Sequence, residues 1–212
     1  MLMSNATSLR SVLTALALLL TAPASQAVER QTALPPAASG LVTGGVARPI
    51  LAWADFCRRH AVECRVDGGE PEVVAMTPQL WRLVTDVNLK VNRAIKPLTD
   101  AEHWGVVDKW NFPDDGYGDC EDYQVLKRKR LADAGVPRRA MRMTVVLDEN
   151  NEGHAVLMVR TDRGDYILDN KRDEVLAWHQ TGYVFVKRES QDDVAWVSLN
   201  NSSGPIATAA RR

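Results

Sequence analysis

The hydrophobic period of the chain changes once, near Pro137: apolar residues recur three and four apart before it and alternate after it. Leu80, Leu83, Val84, Val87, Val91 and Ile95 share one helical face. They follow Thr77-Pro78, an N-cap and a proline at the first helical position, and Pro97 closes the run, so one long amphipathic helix is predicted. Pro49 ahead of Ile50, Leu51, Trp53, Ala54 and Phe56 predicts a shorter helix ending near His60. Thr99-Asp100 opens a brief third piece. A further helix runs from Asp119 through Tyr123, Leu126 and Leu131 to Gly135, with Pro137 just beyond.

Past Pro137, apolar residues fall on alternate positions in five short groups. These are Met141 to Leu147, His154 to Met158, Tyr166 to Leu168, Tyr183 to Phe185, and Trp196. Polar turns join them, which predicts five strands of an antiparallel sheet. The fold class is α+β, a helical N-terminal half packed on that sheet. Between the halves, Trp104 to Gly118 is rich in Asp, Gly, Pro and Trp and has neither period. Loops of about 15 residues in compact domains are usually functional or disordered, and this one leads into Gly118-Asp119-Cys120-Glu121-Asp122-Tyr123.

The first residues alter the picture of where the chain works. Arg10, an apolar run from Val12 to Leu20, Pro23 and Ala24-Ser25-Gln26-Ala27 have the layout of a cleaved secretory signal over residues 1–27. A membrane anchor needs roughly 20 apolar residues, so no stable membrane insertion is expected after cleavage. The destination is periplasmic or secreted. What remains, about 185 residues, is one ordinary domain. Residues 28–48 are poor in large apolar groups and are expected as a flexible leader, 49–199 as the folded domain and 200–212 as a flexible tail.

Formal net charge is −1 with both signs interleaved, which excludes a basic face for nucleic acid. The run Lys127-Arg128-Lys129-Arg130 reads as a solvated helix face. Cys57 and Cys64 straddle a helix end and are the natural bridge in an oxidising compartment, leaving Cys120 outside it.

Cys120 opens a helix, where the dipole and unpaired N–H groups favour a thiolate and can receive an oxyanion. His154 and Asp169 follow on successive strands, the order required for a nucleophile, its base and the residue that orients the base. Their register is checkable. If Thr161-Asp162-Arg163-Gly164 is the turn, a two- or four-residue loop pairs positions whose numbers sum to 325. Asp169 then lies opposite Val156, on the face of His154. An odd-numbered loop would separate them.

The acidic neighbours are a difficulty, because Asp119, Glu121 and Asp122 repel a thiolate. Asp119 also fits an N-cap, with Asp122 three residues on as in a capping box. Nearby Arg or Lys, or a hard cation held by carboxylate oxygens, would offset the repulsion, and carboxylates turned to solvent would weaken it. Calcium is the usual hard cation outside the cytoplasm, and Asp119, Glu121 and Asp122 are its expected ligands.

Taken together, Gly-Asp-Cys-Glu-Asp-Tyr at 118 to 123, Gly-His-Ala-Val-Leu at 153 to 157 and Leu-Asp-Asn at 168 to 170 resemble the bacterial transglutaminase-like cysteine proteinases, which include the LapG-type periplasmic proteases. Trp110 with Pro113, Thr181-Gly182-Tyr183 and Lys187-Arg188 extend the resemblance over about Trp53 to Leu199. It implies a papain-like or transglutaminase-core fold with Cys120 as nucleophile, His154 as base and acid, and Asp169 orienting the imidazole. It also implies peptide-bond cleavage, and in the LapG-type branch calcium near the cysteine and a surface adhesin as substrate. Trp110 is a candidate for the cleft wall. Two other functions share these residues: acyl transfer to an amine through the same thioester, and a non-catalytic calcium-responsive module that holds a peptide.

Overall fold

The computed structural model describes residues 34–199. The expected signal segment 1–27, the first part of the leader and the tail 200–212 lie outside the described residues. Among the described residues, five α-helices and nine strands follow in chain order: β1 Val46–Ala47, α1 Leu51–Arg59, α2 Ala61–Cys64, α3 Pro78–Ala94, β2 Lys96–Pro97, α4 Asp100–His103, β3 Tyr117–Gly118, α5 Cys120–Asp133, β4 Met141–Leu147, β5 Gly153–Thr161, β6 Gly164–Leu168, β7 Leu176–Ala177, β8 Val184–Glu189 and β9 Trp196–Ser198. Seven strands make one sheet in the order β1-β9-β8-β4-β5-β6-β7, and β2 pairs β3 separately. Every pairing in the large sheet is antiparallel.

The sequence explains the ends of these elements. Thr77 Oγ1 accepts the N–H of Leu80 ahead of Pro78 at the first position of α3. Thr99 and Glu102 close a capping box on α4. Gly135, at φ +90°, takes the left-handed turn that stops α5. The α1–α2 pair is tied by the Cys57–Cys64 disulfide, as expected from its spacing.

Alternation in the strands sorts side chains onto two faces. Met143, Val145, Leu157, Val159, Tyr166 and Leu168 meet Trp53 and Phe56 of α1, Val84, Val87 and Val91 of α3, and Val125 and Leu131 of α5. The opposite face carries a smaller cluster, in which Val146, Val156, Met158, Ile167, Tyr183 and Phe185 are joined by Leu41 and Trp178. Full burial of each large apolar side chain contributes about 1.5–3 kcal/mol.

Three features differ from the sequence expectation. The segment read as leader is, from Pro35, laid along the sheet. Pro35 and Pro36 carbonyls accept from Arg163 and Tyr166, Leu41 N–H donates to Asp165, and Val46 and Ala47 pair with β9. Backbone groups make most of these bonds, and backbone is silent in a hydropathy pattern. The basic run on α5 is only half solvated. Lys127 and Arg128 are buried, and Arg128 Nη1 is 2.6 Å from Glu189 Oε2. Trp110, expected at a cleft wall, is instead fully enclosed in the core.

Candidate active site

α5 is buried on nearly all sides, from Cys120 through Arg128. It drives its N-terminal end against β5. Gly118 permits the approach from the preceding strand, since a Cβ there would sit 2.7 Å from Cβ of Asp122. Cys120 is the first residue of the helix and only 8% exposed. Its Sγ accepts the N–H of Ala155 at 3.4 Å and its thiol donates to Glu121 Oε2 at 3.0 Å. The sulfur is therefore held at the residue next to His154.

The predicted register holds. Leu157 pairs Leu168 and Thr161 pairs Gly164, each pair summing to 325, with Asp162-Arg163 as the two-residue turn. His154 and Asp169 meet as the register requires, with Nε2 and Oδ1 2.8 Å apart and both side chains buried. Asp169 Oδ1 also accepts the N–H of Lys171 at 3.0 Å, and Oδ2 accepts the hydroxyl of Tyr183 at 2.7 Å. Burial by itself pushes this carboxyl up. The His154 bond and charge, then Lys171 and Tyr183, outweigh burial and bring it down to about 2. An ionised Asp169 places the imidazole proton on Nε2. Tyr183, whose ring meets that of His154 edge-on at 5.9 Å, was not picked out as a site residue from sequence. Its neighbours in the motif, Thr181 and Gly182 at φ +77°, are turn residues that set its approach.

The acidic residues divide. Asp119 and Glu121 come together with Asp100 of α4, with one carboxylate oxygen from each lying within 4.8 Å of the others. Asp122 instead turns away and accepts the N–H of Asn111 at 2.7 Å. Asp119 stands at the N-cap position, yet its side chain makes no capping bond. Its Oδ2 accepts from Asp100 N–H at 3.2 Å. Asp100 lies 19 residues upstream, and nothing in the sequence pattern points to it.

Electrostatics in this corner are unfavourable as they stand. Burial first, and then the Asp119 charge, push Asp100 up to about 7. Burial pushes Asp122 up to about 8, although the Asn111 N–H works against it. Glu121 is driven well up by burial, then by Asp119, Asp108 and Asp122. Burial, followed by the charges of Glu121 and Asp119, holds the Cys120 thiol well above its ordinary range. Asp119 Oδ1 and Glu121 Oε1 are enclosed with no hydrogen-bond donor among the described residues. Oxygen-only donors, crowded like charges and two orphaned acceptors fit a hard divalent cation.

Comparison with known proteins gives the family of the chain. A family model described as "Bacterial transglutaminase-like cysteine proteinase BTLCP" matches residues 43–204. The chain belongs to that family. It is accordingly a transglutaminase-like cysteine peptidase. Among solved structures, Legionella pneumophila LapG in a calcium-bound form is similar over 64% of this chain and 76% of that chain, with 24% identity and a TM-score of 0.50. The EGTA-treated form of the same protein covers 62% and 72%, at 24% identity and a TM-score of 0.49. The calcium-bound likeness supports the transglutaminase-like fold of the family. No curated protein matches the chain. Among the described residues, no helix is long and apolar enough to cross a membrane.

Proposed function

We propose that this family member is an exported peptidase in which Cys120, His154 and Asp169 form the catalytic triad. The observation that carries the reading is the convergence at β5: the Cys120 sulfur rests on the Ala155 N–H, while the adjacent His154 is bonded to an ionised Asp169. In the reaction, Nδ1 of His154 takes the Sγ proton as sulfur adds to the peptide carbonyl. The imidazolium then gives that proton to the leaving amine, and a thioester remains. Water, deprotonated by the imidazole, resolves the thioester to a carboxylate and returns the thiol. The first intrahelical bond runs from Tyr123 N–H to Asp119 O, so the Cys120 N–H lies ahead of the helical ladder, at the end of α5 where an oxyanion would be received.

Asp100, Asp119 and Glu121 would hold calcium, and Asp122 joins only by reorienting from Asn111. Bound there, the ion supplies positive charge that offsets the carboxylates beside the thiol. Glu121 would then have a better partner than the Cys120 thiol. The Cys57–Cys64 bridge suits the oxidising compartment that the N-terminal signal implies. The substrate is a cell-envelope or surface protein, in line with the resemblance drawn from the sequence.

Alkylation tests the reading. Cys120 should react with iodoacetamide at neutral pH much faster in millimolar calcium than in EDTA, and His154→Ala should abolish the difference. Slow alkylation under both conditions, or a fast His154→Ala variant, would refute the triad.

A further inference from the structure

Lys127 is a buried amine that the mechanism above does not use. It lies seven residues after Cys120, and two helical turns take 7.2 residues, so the two share a face of α5 about 10 Å apart. Gln124 lies between them. This stripe looks onto the turn that follows β6, residues 169–173, which carries Asp169. Gln124 Nε2 reaches Asn170 Oδ1 at 3.5 Å. The electrostatic neighbours of Lys127 are Asp169 and Asp173. From the other side α3 holds the same turn by its backbone. Asn92 Nδ2 donates to the carbonyls of Asp169 and Arg172, each at 2.9 Å, and Asn88 Nδ2 donates to those of Arg172 and Asp173 at 2.9 and 3.0 Å.

The amine itself has no hydrogen-bond acceptor among the described residues, and the side chain is 0% exposed. The amine lies 5.9 Å from the centre of the Tyr123 ring. Its neighbour Arg128 is in contrast paired with Glu189. An enclosed cation without a hydrogen-bonded partner destabilises a fold, and a methionine of similar shape would pack there without that penalty. Burial, only partly countered by Asp169 and Asp173, brings the amine down to about 7. Such groups cluster where a site needs them.

Given the triad reading, we propose that Lys127 is a positioning residue which acts on the reaction through Asp169. Its buried amine is the positive pole against which the 169–173 turn is seated. By fixing the Asp169 carboxylate it fixes the imidazole of His154 relative to the sulfur.

The test compares Lys127→Met, Lys127→Gln and Lys127→Arg with the parent and with His154→Ala, all in millimolar calcium. Cys120 alkylation by iodoacetamide and the low-field proton resonance of the His154 Nε2–H are recorded, with near-ultraviolet circular dichroism as the check on folding. Lys127→Met should melt at or above the parent temperature, alkylate about tenfold more slowly and shift or lose the imidazole resonance, and Lys127→Arg should recover part of the rate. Parent-like alkylation and resonance in a folded Lys127→Met or Lys127→Gln would overturn the proposal. So would failure of both neutral variants to fold while Lys127→Arg folds, since Lys127 would then be a stability element. If His154→Ala alkylates at the parent rate, it is the triad that fails, not the role of Lys127 alone.

Discussion

Replacing Tyr183 by Phe removes one oxygen and tests whether the carboxylate beneath His154 is held by its hydroxyl. Asp169 is 3% exposed and stands near 2 against an ordinary 3.8. That gap of roughly two pKa units corresponds to about 2 kcal/mol of stability. Its folded value is depressed, so the contribution is complete above 3.8 and disappears as pH falls from there through about 2. Tyr183 supplies one of three donors, and a hydrogen bond to a charged group contributes about 1.5–3 kcal/mol. The hydroxyl lies 2.7 Å from Oδ2. Tyr183→Phe should therefore lower the urea unfolding free energy by about 1–2 kcal/mol at pH 7. The difference should be the same at pH 5 and narrow below pH 3.8. Cys120 alkylation should slow in parallel, because the imidazole loses its fixed partner. Unchanged stability at pH 7, or a deficit that persists undiminished near pH 2, would refute this account of Asp169.

Other perturbations bear on other parts of the site. Asp100 near 7 and Asp122 near 8 are raised above their unfolded values, so their stabilisation is full below about 3.8 and is lost as pH rises through 7 to 8. In EDTA the melting temperature should fall between pH 5 and pH 8, and millimolar calcium should remove most of that fall; identical curves with and without calcium would dismiss the ion. Arg128→Met leaves Glu189 charged and enclosed, and should destabilise by about 3 kcal/mol in denaturant titration, with a change under 1 kcal/mol counting against the pair. Gly118→Ala sets a methyl against Asp122, and should destabilise by about 1–3 kcal/mol and slow alkylation. A fully reactive Gly118→Ala would mean that the approach of β3 to α5 does not position the thiol.

What the sequence revealed follows from which forces leave a local trace. Alternation and turn spacing are local, so strands β4, β5, β6, β8 and β9, the sum-of-325 register and the meeting of His154 with Asp169 were legible in the sequence, whereas the two-residue strands β1, β2, β3 and β7 carry no such pattern. The bridge between Cys57 and Cys64 was legible for the same reason. Asp100 was not, because it reaches Asp119 and Glu121 across 19 residues of chain through a fold that no periodicity encodes. The α5 charges misled: Lys127 and Arg128 look solvated in any window of sequence, yet the fold buries both and brings Glu189 of β8 to Arg128. The strap from Pro35 to Ala47 was missed because carbonyls and N–H groups, not apolar side chains, hold it.

The side chains of His154 and Asp169 share the sheet face turned away from the helices, whereas α5 packs on the other face. A continuous sheet would keep sulfur and imidazole apart. The ladder between β5 and β6 ends at Leu157 and Leu168, and two residues earlier the Ala155 N–H is given to the sulfur instead of to a strand. Where β6 departs, its chain turns into 169–173, seated on Asn88 and Asn92, and Asp169 is the first residue past the last pair. The end of strand pairing thus opens the sheet at the residue where the helix N-terminus arrives. That one break both exposes a backbone donor to the thiol and delivers the carboxylate to the imidazole.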